Sequence, residues 1–121
     1  MKIQKSAEDY LEAILELQES GSVRSIDVAQ HLGFSKPSVS RAVGLLREHG
    51  YLSVDPDGLL TLTDTGREIA ERIYDRHKLL TRWLLWLGVP PEEAAADACT
   101  MEHAMSEDTF QKMKAHILTE I

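Results

Sequence analysis

Two residues, Gly33 and Phe34, separate two predicted helices, and this short connection constrains the fold more than any other feature of the sequence. Helices joined by so short a turn must cross steeply, because they cannot fold back along each other as a hairpin. The second helix begins in SKPSVSRAVGLLREHG, where Ser35 is a predicted cap and Pro37 lies in the first turn, in which its missing N–H costs nothing. The sequence therefore predicts a helix-turn-helix within residues 25–50.

Predicted elements on both sides complete a winged helix-turn-helix. SAEDYLEAILELQESG has apolar residues at helical spacing, with Ser6 as its predicted cap. Ser25 is the predicted cap of the shorter helix of the motif. The side chains expected to face the core from the longer helix are Val39, Val43, Leu45 and Leu46. YLSVDPDGLLTLT then changes to strand-forming residues around a DPDG turn, which predicts a two-stranded hairpin, the wing.

Three further helices are predicted after the hairpin. A long helix runs from about Asp64 toward Leu87, although Gly66 in its first turn is poorly suited to it. PPEEAAADACTMEHAM forms the next helix, and Ser106 caps a last one over 107–118. The predicted fold class is mainly α: a winged helix-turn-helix domain at residues 1–63, followed by a helical domain at residues 64–121.

Composition indicates a cytoplasmic protein with no membrane partner. No apolar run approaches the ~20 residues that span a bilayer, and MKIQKSAEDY lacks the apolar segment of a signal peptide. The single cysteine, Cys99, cannot form an internal disulfide and fits a reducing compartment.

Charge is divided unevenly along the chain. The net charge is −7, which argues at first against a nucleic-acid partner. Residues 24–50, however, carry four basic and two acidic side chains, whereas residues 91–121 carry seven acidic side chains and two lysines. Binding depends on the field of the contacting face, so the middle of the chain could still hold DNA.

The start of the second helix carries the expected contacts with double-stranded operator DNA. In a helix-turn-helix this helix enters the major groove by its N-terminal residues, where arginine can read guanine and serine and lysine can hold phosphates. The predicted DNA-binding residues are Arg24, Ser35, Lys36, Pro37, Ser38, Ser40 and Arg41. An ordinary solvated helix face is the alternative, but the tight turn, the polar helix start and the hairpin together favour DNA binding.

The stretch ACTMEHAM raises a second function. On a helix, Cys99, Glu102 and His103 share one edge. The apolar stripe beside that edge consists of Ala98, Met101 and Met105. Three donors of three kinds can meet one metal ion, or they can be a small apolar side chain, a solvated acid and a locally satisfied histidine. Spacing alone leaves both interpretations open.

Four motifs resemble the diphtheria toxin repressor family of iron- and manganese-dependent repressors: SAEDYLEAILEL, the helix-turn-helix, YDRHKLL and DACTMEHAMS. The resemblance covers nearly the whole chain. It implies that a divalent metal joins the N-terminal helix to the dimerisation helices, and that the homodimer then binds its operator and represses transcription. The metal ligands that it implies are Asp9, Glu12, His77, Cys99, Glu102 and His103.

The implied ligands combine two branches of that family. A glutamate is usual where Cys99 stands in manganese transport regulators, and a methionine is usual where Asp9 stands in iron-type members. Thr81 and Ala95 replace an acid and a histidine of the iron-type ancillary site. A thiolate favours Fe²⁺ over Mn²⁺, so the expected cofactor is Fe²⁺, with Mn²⁺ second.

Two other functions compete with a metal-dependent regulator. In one, the chain is a winged-helix regulator that does not respond to metal, and Cys99 is structural or a redox switch. In the other, it is a small metal-dependent hydrolase, but the sequence has no HExxH or nucleophile motif, so we expect no enzyme. The long helix is expected to carry more apolar surface than one short bundle needs, and a dimer surface is its expected use, with a buried core as the alternative. The side chains concerned are Leu79, Leu80, Trp83, Leu84, Leu85 and Trp86.

Overall fold

Six helices and three short strands make up residues 5–121, the part of the chain that the computed structural model describes. In chain order they are α1 (Lys5–Gln18), β1 (Val23–Arg24), α2 (Ser25–Leu32), α3 (Lys36–Glu48), β2 (Leu52–Val54), β3 (Leu59–Leu62), α4 (Asp64–Trp86), α5 (Pro91–Met101) and α6 (Glu107–Glu120). The mainly α fold class is confirmed. The chain divides into two compact units, Met1–Glu71 and Arg72–Ile121. A domain boundary after residue 63 remains a prediction, and the first four residues of its N-terminal domain lie outside the described residues.

The first unit is a three-helix winged helix-turn-helix. Helices α1, α2 and α3 pack on one another around a core that includes Leu11, Ile14 and Val28. The strands form an antiparallel sheet in the order β1-β3-β2. In its register Leu60 lies between Val54 of β2 and Val23 of β1. The hairpin is confirmed, and β1 is an additional strand that the sequence pattern did not indicate.

The tight turn and the capped third helix are also confirmed. Gly33 adopts a left-handed conformation (φ 71°), and its N–H donates to the Ala29 carbonyl, which ends α2. The Ser35 hydroxyl then accepts from the Ser38 N–H at 3.3 Å, which starts α3. Local cap chemistry therefore sets both ends of the turn.

Three predictions within this unit are wrong in detail. Ser6 lies inside α1 and is not its cap. The carboxylate of Asp9, three residues on, accepts from the Lys5 ammonium at 3.1 Å. Ser25 is the first helical residue of α2, because Arg24 already ends the extended strand β1 and takes the cap position. Leu45 is 51% exposed, since it lies one residue off the stripe of buried side chains on α3. That stripe consists of Val39, Val43 and Leu46.

Gly66 in the first turn of α4 is explained by a close backbone approach. A Cβ atom built on Gly66 would lie 1.8 Å from the Tyr51 carbonyl oxygen. The Thr63 hydroxyl accepts from the Gly66 N–H at 3.1 Å and donates to the Gly50 carbonyl at 2.6 Å. Thr63 therefore caps α4, and glycine is needed where the helix start passes the chain after α3.

The second unit has its own apolar core. Leu79, Phe110 and Ile117 are buried together. The half-buried side chains packed against them are Trp83, Met105, Met113 and Ile121. Leu79 and Leu80 are thus core residues, not surface residues available for a dimer, because they lie on the inner face of α4. None of the helices described is long and apolar enough to cross a membrane.

Candidate metal centre and nucleic-acid interface

The start of α3 has a polar, exposed outer face, and its inner face is apolar and buried. Val39 is fully buried and Val43 nearly so, which anchors the helix to its unit. The side chains on the outer face are all exposed; they are Ser35, Lys36, Pro37, Ser38, Ser40 and Arg41. The Ser35 hydroxyl donates to the Ser38 hydroxyl at 2.8 Å. The six predicted DNA-binding residues of this helix start therefore lie together in solvent.

Arg24, the seventh predicted DNA-binding residue, contacts the wing. Its guanidinium donates to the backbone carbonyl of Asp57 in the hairpin turn. Its backbone N–H donates to the Asp27 carboxylate at 2.8 Å. The Asp55 carboxylate, in turn, accepts from the N–H groups of Asp57 and Leu59, both at 2.9 Å. Arg24 and Asp55 thus set the shape of the wing, and Arg24 remains exposed beside it.

Two of the predicted metal ligands lie one turn apart on α1. Asp9 is half-buried and Glu12 is buried, with 7% of its surface exposed. A carboxylate oxygen of Asp9 lies within 4.8 Å of one of Glu12. Their spacing of three residues places both side chains on one face of the helix.

Glu102 is the centre of the predicted ligands in the second unit. It is completely buried, and its Oε2 atom lies 3.0 Å from Nδ1 of His77, a hydrogen-bond distance. Its Oε1 atom lies 3.3 Å from Nε2 of His103. The structure therefore brings one carboxylate and two imidazoles together in this unit.

Helix α5 ends earlier than predicted, and this changes how the ligands are presented. The prediction extended the helix to Met105, but α5 ends at Met101, with Glu102 as its C-cap. Cys99 lies in the last turn and is half-buried. Among the donors described in this unit, Glu102 and His103 have ligand atoms within 4.8 Å of each other and could share an ion. Cys99 and His77 are not part of that cluster, although His77 lies 3.0 Å from the other oxygen of Glu102.

The surroundings of Glu102 fit a metal cation. Among residues 5–121, its buried Oε1 atom has no hydrogen-bond partner, because His103 Nε2 is near but outside hydrogen-bonding geometry. A buried carboxylate oxygen is costly unless a donor or a cation satisfies it. Two ligand atoms about 2.1 Å from one ion lie about 3.0–3.4 Å apart, which includes the observed Oε1–Nε2 separation.

A buried arginine in the same unit was missed by sequence reasoning. Arg76 is 5% exposed and donates to the Glu102 carbonyl at 3.0 Å. A signal was present, because Arg76 lies between Ile73 and Leu80 at core spacing along α4. In sequence, however, a single charged residue at that spacing resembles a surface residue.

Two family models match the chain. The N-terminal DNA binding domain of iron dependent repressors matches residues 2–60. The metal binding and dimerisation domain of iron dependent repressors matches residues 63–118. Together these matches extend over both units.

Individual relatives agree with the family models. The chain is 37% identical over 108 residues to the transcriptional regulator MntR of Escherichia coli O6:H1, covering 88% of this chain and 70% of MntR. It is 37% identical over 110 residues to the iron-dependent repressor IdeR of Mycobacterium tuberculosis, covering 89% of this chain and 48% of IdeR.

A solved manganese-dependent transcriptional repressor in complex with manganese has a similar fold. The TM-score is 0.82 at 32% identity, and the match covers 92% of this chain and 52% of the solved one. The chain therefore spans about half the length of that repressor and of IdeR.

Proposed function

The chain belongs to the iron-dependent repressor family, and on that basis we propose that it is a transcriptional repressor of metal homeostasis that binds operator DNA as a homodimer when Fe²⁺ or Mn²⁺ is bound. The observation that supports metal dependence most strongly is the buried Glu102 Oε1 atom, which lacks a hydrogen-bond partner among the residues described. We place this regulator in the cytoplasm and expect no enzymatic activity.

Six side chains form the proposed ligand set. Asp9 and Glu12 would offer carboxylate oxygens from α1, and the second unit would offer Glu102, His103, His77 and Cys99. The Glu102 carboxylate accepts from His77 through Nδ1, so Nε2 is the nitrogen with which His77 would bind an ion. When bound, a divalent cation would turn repulsion among the carboxylates into attraction.

The donor chemistry bears on which ion is sensed. Carboxylate oxygens and imidazole nitrogens suit both Mn²⁺ and Fe²⁺, whereas a thiolate favours Fe²⁺. Cys99 is half-buried one turn before Glu102. We therefore propose Fe²⁺ as the favoured ion, with Cys99 as the residue that decides between the two.

Exposed surfaces support the DNA and dimer contacts. The polar helix start of α3, with Lys36 and Arg41, would enter the major groove of the operator. Leu85, Trp86 and Leu87 close to the end of α4 are 44%, 54% and 53% exposed. Consecutive exposed apolar side chains are typical of an interaction surface, and a second copy of the chain would cover them.

Replacing one buried carboxylate tests the metal proposal. Glu102→Gln keeps the size of the side chain but removes the charge that faces the ion. We expect the dissociation constant for Mn²⁺, measured without oxygen by competition with a fluorescent chelator, to rise at least about 100-fold.

The matched control is Glu93→Gln, which removes an exposed acid from α5. This variant should bind Mn²⁺ as the wild type does. Wild-type affinity in Glu102→Gln, with α-helical content retained, would contradict the proposed ligand role of Glu102.

A further inference from the structure

We propose that Arg76 is a positioning residue for the metal ligands Glu102 and His103, an inference that rests on the proposed function. Arg76 lies on α4 directly before His77 and is nearly buried. Arginine is rarely buried unless it is paired, because an uncompensated buried charge is strongly destabilising. Its partners therefore indicate what it does.

The Arg76 guanidinium holds two points of the chain that carries the ligands. Its Nη1 atom donates to the carbonyl of Glu102 at 3.0 Å and to the carbonyl of Met105 at 2.9 Å. Its Nη2 atom donates to the Glu107 carboxylate at 2.7 Å, and the group lies over the Phe110 ring, 5.0 Å from its centre. One nitrogen thus fixes both ends of the segment that contains Glu102 and His103.

That segment needs an external donor, because it has left the helix. α5 ends at Met101, and the carbonyls at a helix end have no partner within the helix. The Glu102 N–H still donates to Ala98, and the Ala104 N–H donates to Met101. Beyond these bonds, Arg76 donates hydrogen bonds to the carbonyls of Glu102 and Met105.

Glu102 is therefore held at two places by adjacent residues of α4. Arg76 holds its backbone carbonyl, and His77 holds its carboxylate through Oε2. This arrangement leaves the direction of Oε1, the oxygen proposed to face the ion, fixed by α4. A ligand fixed in this way binds without first having to be ordered.

A substitution at Glu107 allows the ion pair of Arg76 to be tested separately from its hydrogen bonds to the ligand segment. Hydrogen bonds from Gln111 and from Arg76 lower the pKa of Glu107, so it is a carboxylate at neutral pH. It is half-exposed, and a glutamine in its place removes the charge but keeps an oxygen that can accept from Arg76. Glu107→Gln therefore weakens the ion pair while the two carbonyl contacts of Arg76 remain.

The test compares Arg76→Gln with Glu107→Gln and with Ile117→Val, which loosens the core away from the ligand segment. We expect Arg76→Gln to weaken Mn²⁺ binding about 10–100-fold. Glu107→Gln should change the affinity less than about fivefold, and Ile117→Val should leave it unchanged. In metal-free protein, Arg76→Gln alone should speed hydrogen exchange at the Glu102 and Ala104 amides by more than it speeds exchange at the other amides of the second unit.

Arg76→Lys is measured alongside, in case Arg76→Gln does not fold. Lysine keeps the charge but lacks the planar fork, so Mn²⁺ affinity should still fall about tenfold. Wild-type Mn²⁺ affinity in a folded Arg76 variant, or the same loss in Ile117→Val, would overturn this inference and leave the proposed function intact. A wild-type protein that binds neither Mn²⁺ nor Fe²⁺ would overturn both.

Discussion

Gly66 shows how a single residue can be dictated by a neighbouring backbone. A methyl group there would overlap the Tyr51 carbonyl, which lies 1.8 Å from the position of the added Cβ. Backbone cannot move aside as a flexible side chain can. We predict that Gly66→Ala lowers the free energy of unfolding by about 3 kcal/mol, measured by urea denaturation.

Gly44 offers the matched control. It also lies in a helix, but no atom stands within 4 Å of its added Cβ. Gly44→Ala should therefore stabilise the protein by about 0.5–1 kcal/mol, because alanine has the higher helix propensity. If both variants had the same stability, close packing at Gly66 would not be the reason for its glycine.

The metal-ligand candidates could be predicted from the sequence, whereas the role of Arg76 could not, for a physical reason. Cys99, Glu102 and His103 are visible as candidates, because their side chains carry metal-binding atoms whatever the fold. The contact of Arg76 with the Glu102 carbonyl is not visible, because any sequence supplies a backbone carbonyl. It takes the end of α5 and the path of the chain after it to bring that carbonyl to Arg76.

At the scale of elements, caps were predictable where they depend on local chemistry. Ser35 and Ser106 each accept a hydrogen bond from the N–H three residues on, as expected. Ser25 was wrong as a cap because the helix start is displaced by β1, whose pairing with β3 is a long-range contact. The residues of the segment likewise gave no sign that α5 ends at Met101, beyond which Arg76 donates to the Glu102 and Met105 carbonyls.

Helix α3 carries the prediction about DNA reading. Arg41 is exposed on the polar face near the helix start. If it reads bases, Arg41→Ala should weaken binding to the operator by about 1–3 kcal/mol and binding to random DNA much less. Fluorescence anisotropy on both DNAs at fixed salt measures the difference.

Arg47 in the last turn of α3 is the comparison for that test. It is exposed and carries the same charge, but it lies away from the helix start that is proposed to enter the groove. Arg47→Ala should lower the affinity for both DNAs equally, or not at all. An equal loss on both DNAs in Arg41→Ala would instead assign Arg41 to phosphate contacts.

At the scale of the whole molecule, the two units divide the proposed work. The first unit contains residues 24–50, in which basic side chains outnumber acidic ones, and the exposed start of α3. The second unit contains the acidic residues 91–121 and the exposed apolar end of α4. A bound ion can favour the DNA-binding state only to the extent that it binds this state more tightly than the others. For metal to act as proposed, the proposed ligands would have to provide that difference in affinity.

The most direct test is the affinity for operator DNA with and without metal. Labelled DNA from upstream of the gene for this chain would be titrated anaerobically in chelator, and then with buffered Fe²⁺, Mn²⁺ or Zn²⁺ at one salt concentration. We predict that Fe²⁺ or Mn²⁺ tightens binding at least about tenfold, within the range of coupling between distinct sites. Equally tight binding in chelator would contradict metal-dependent repression.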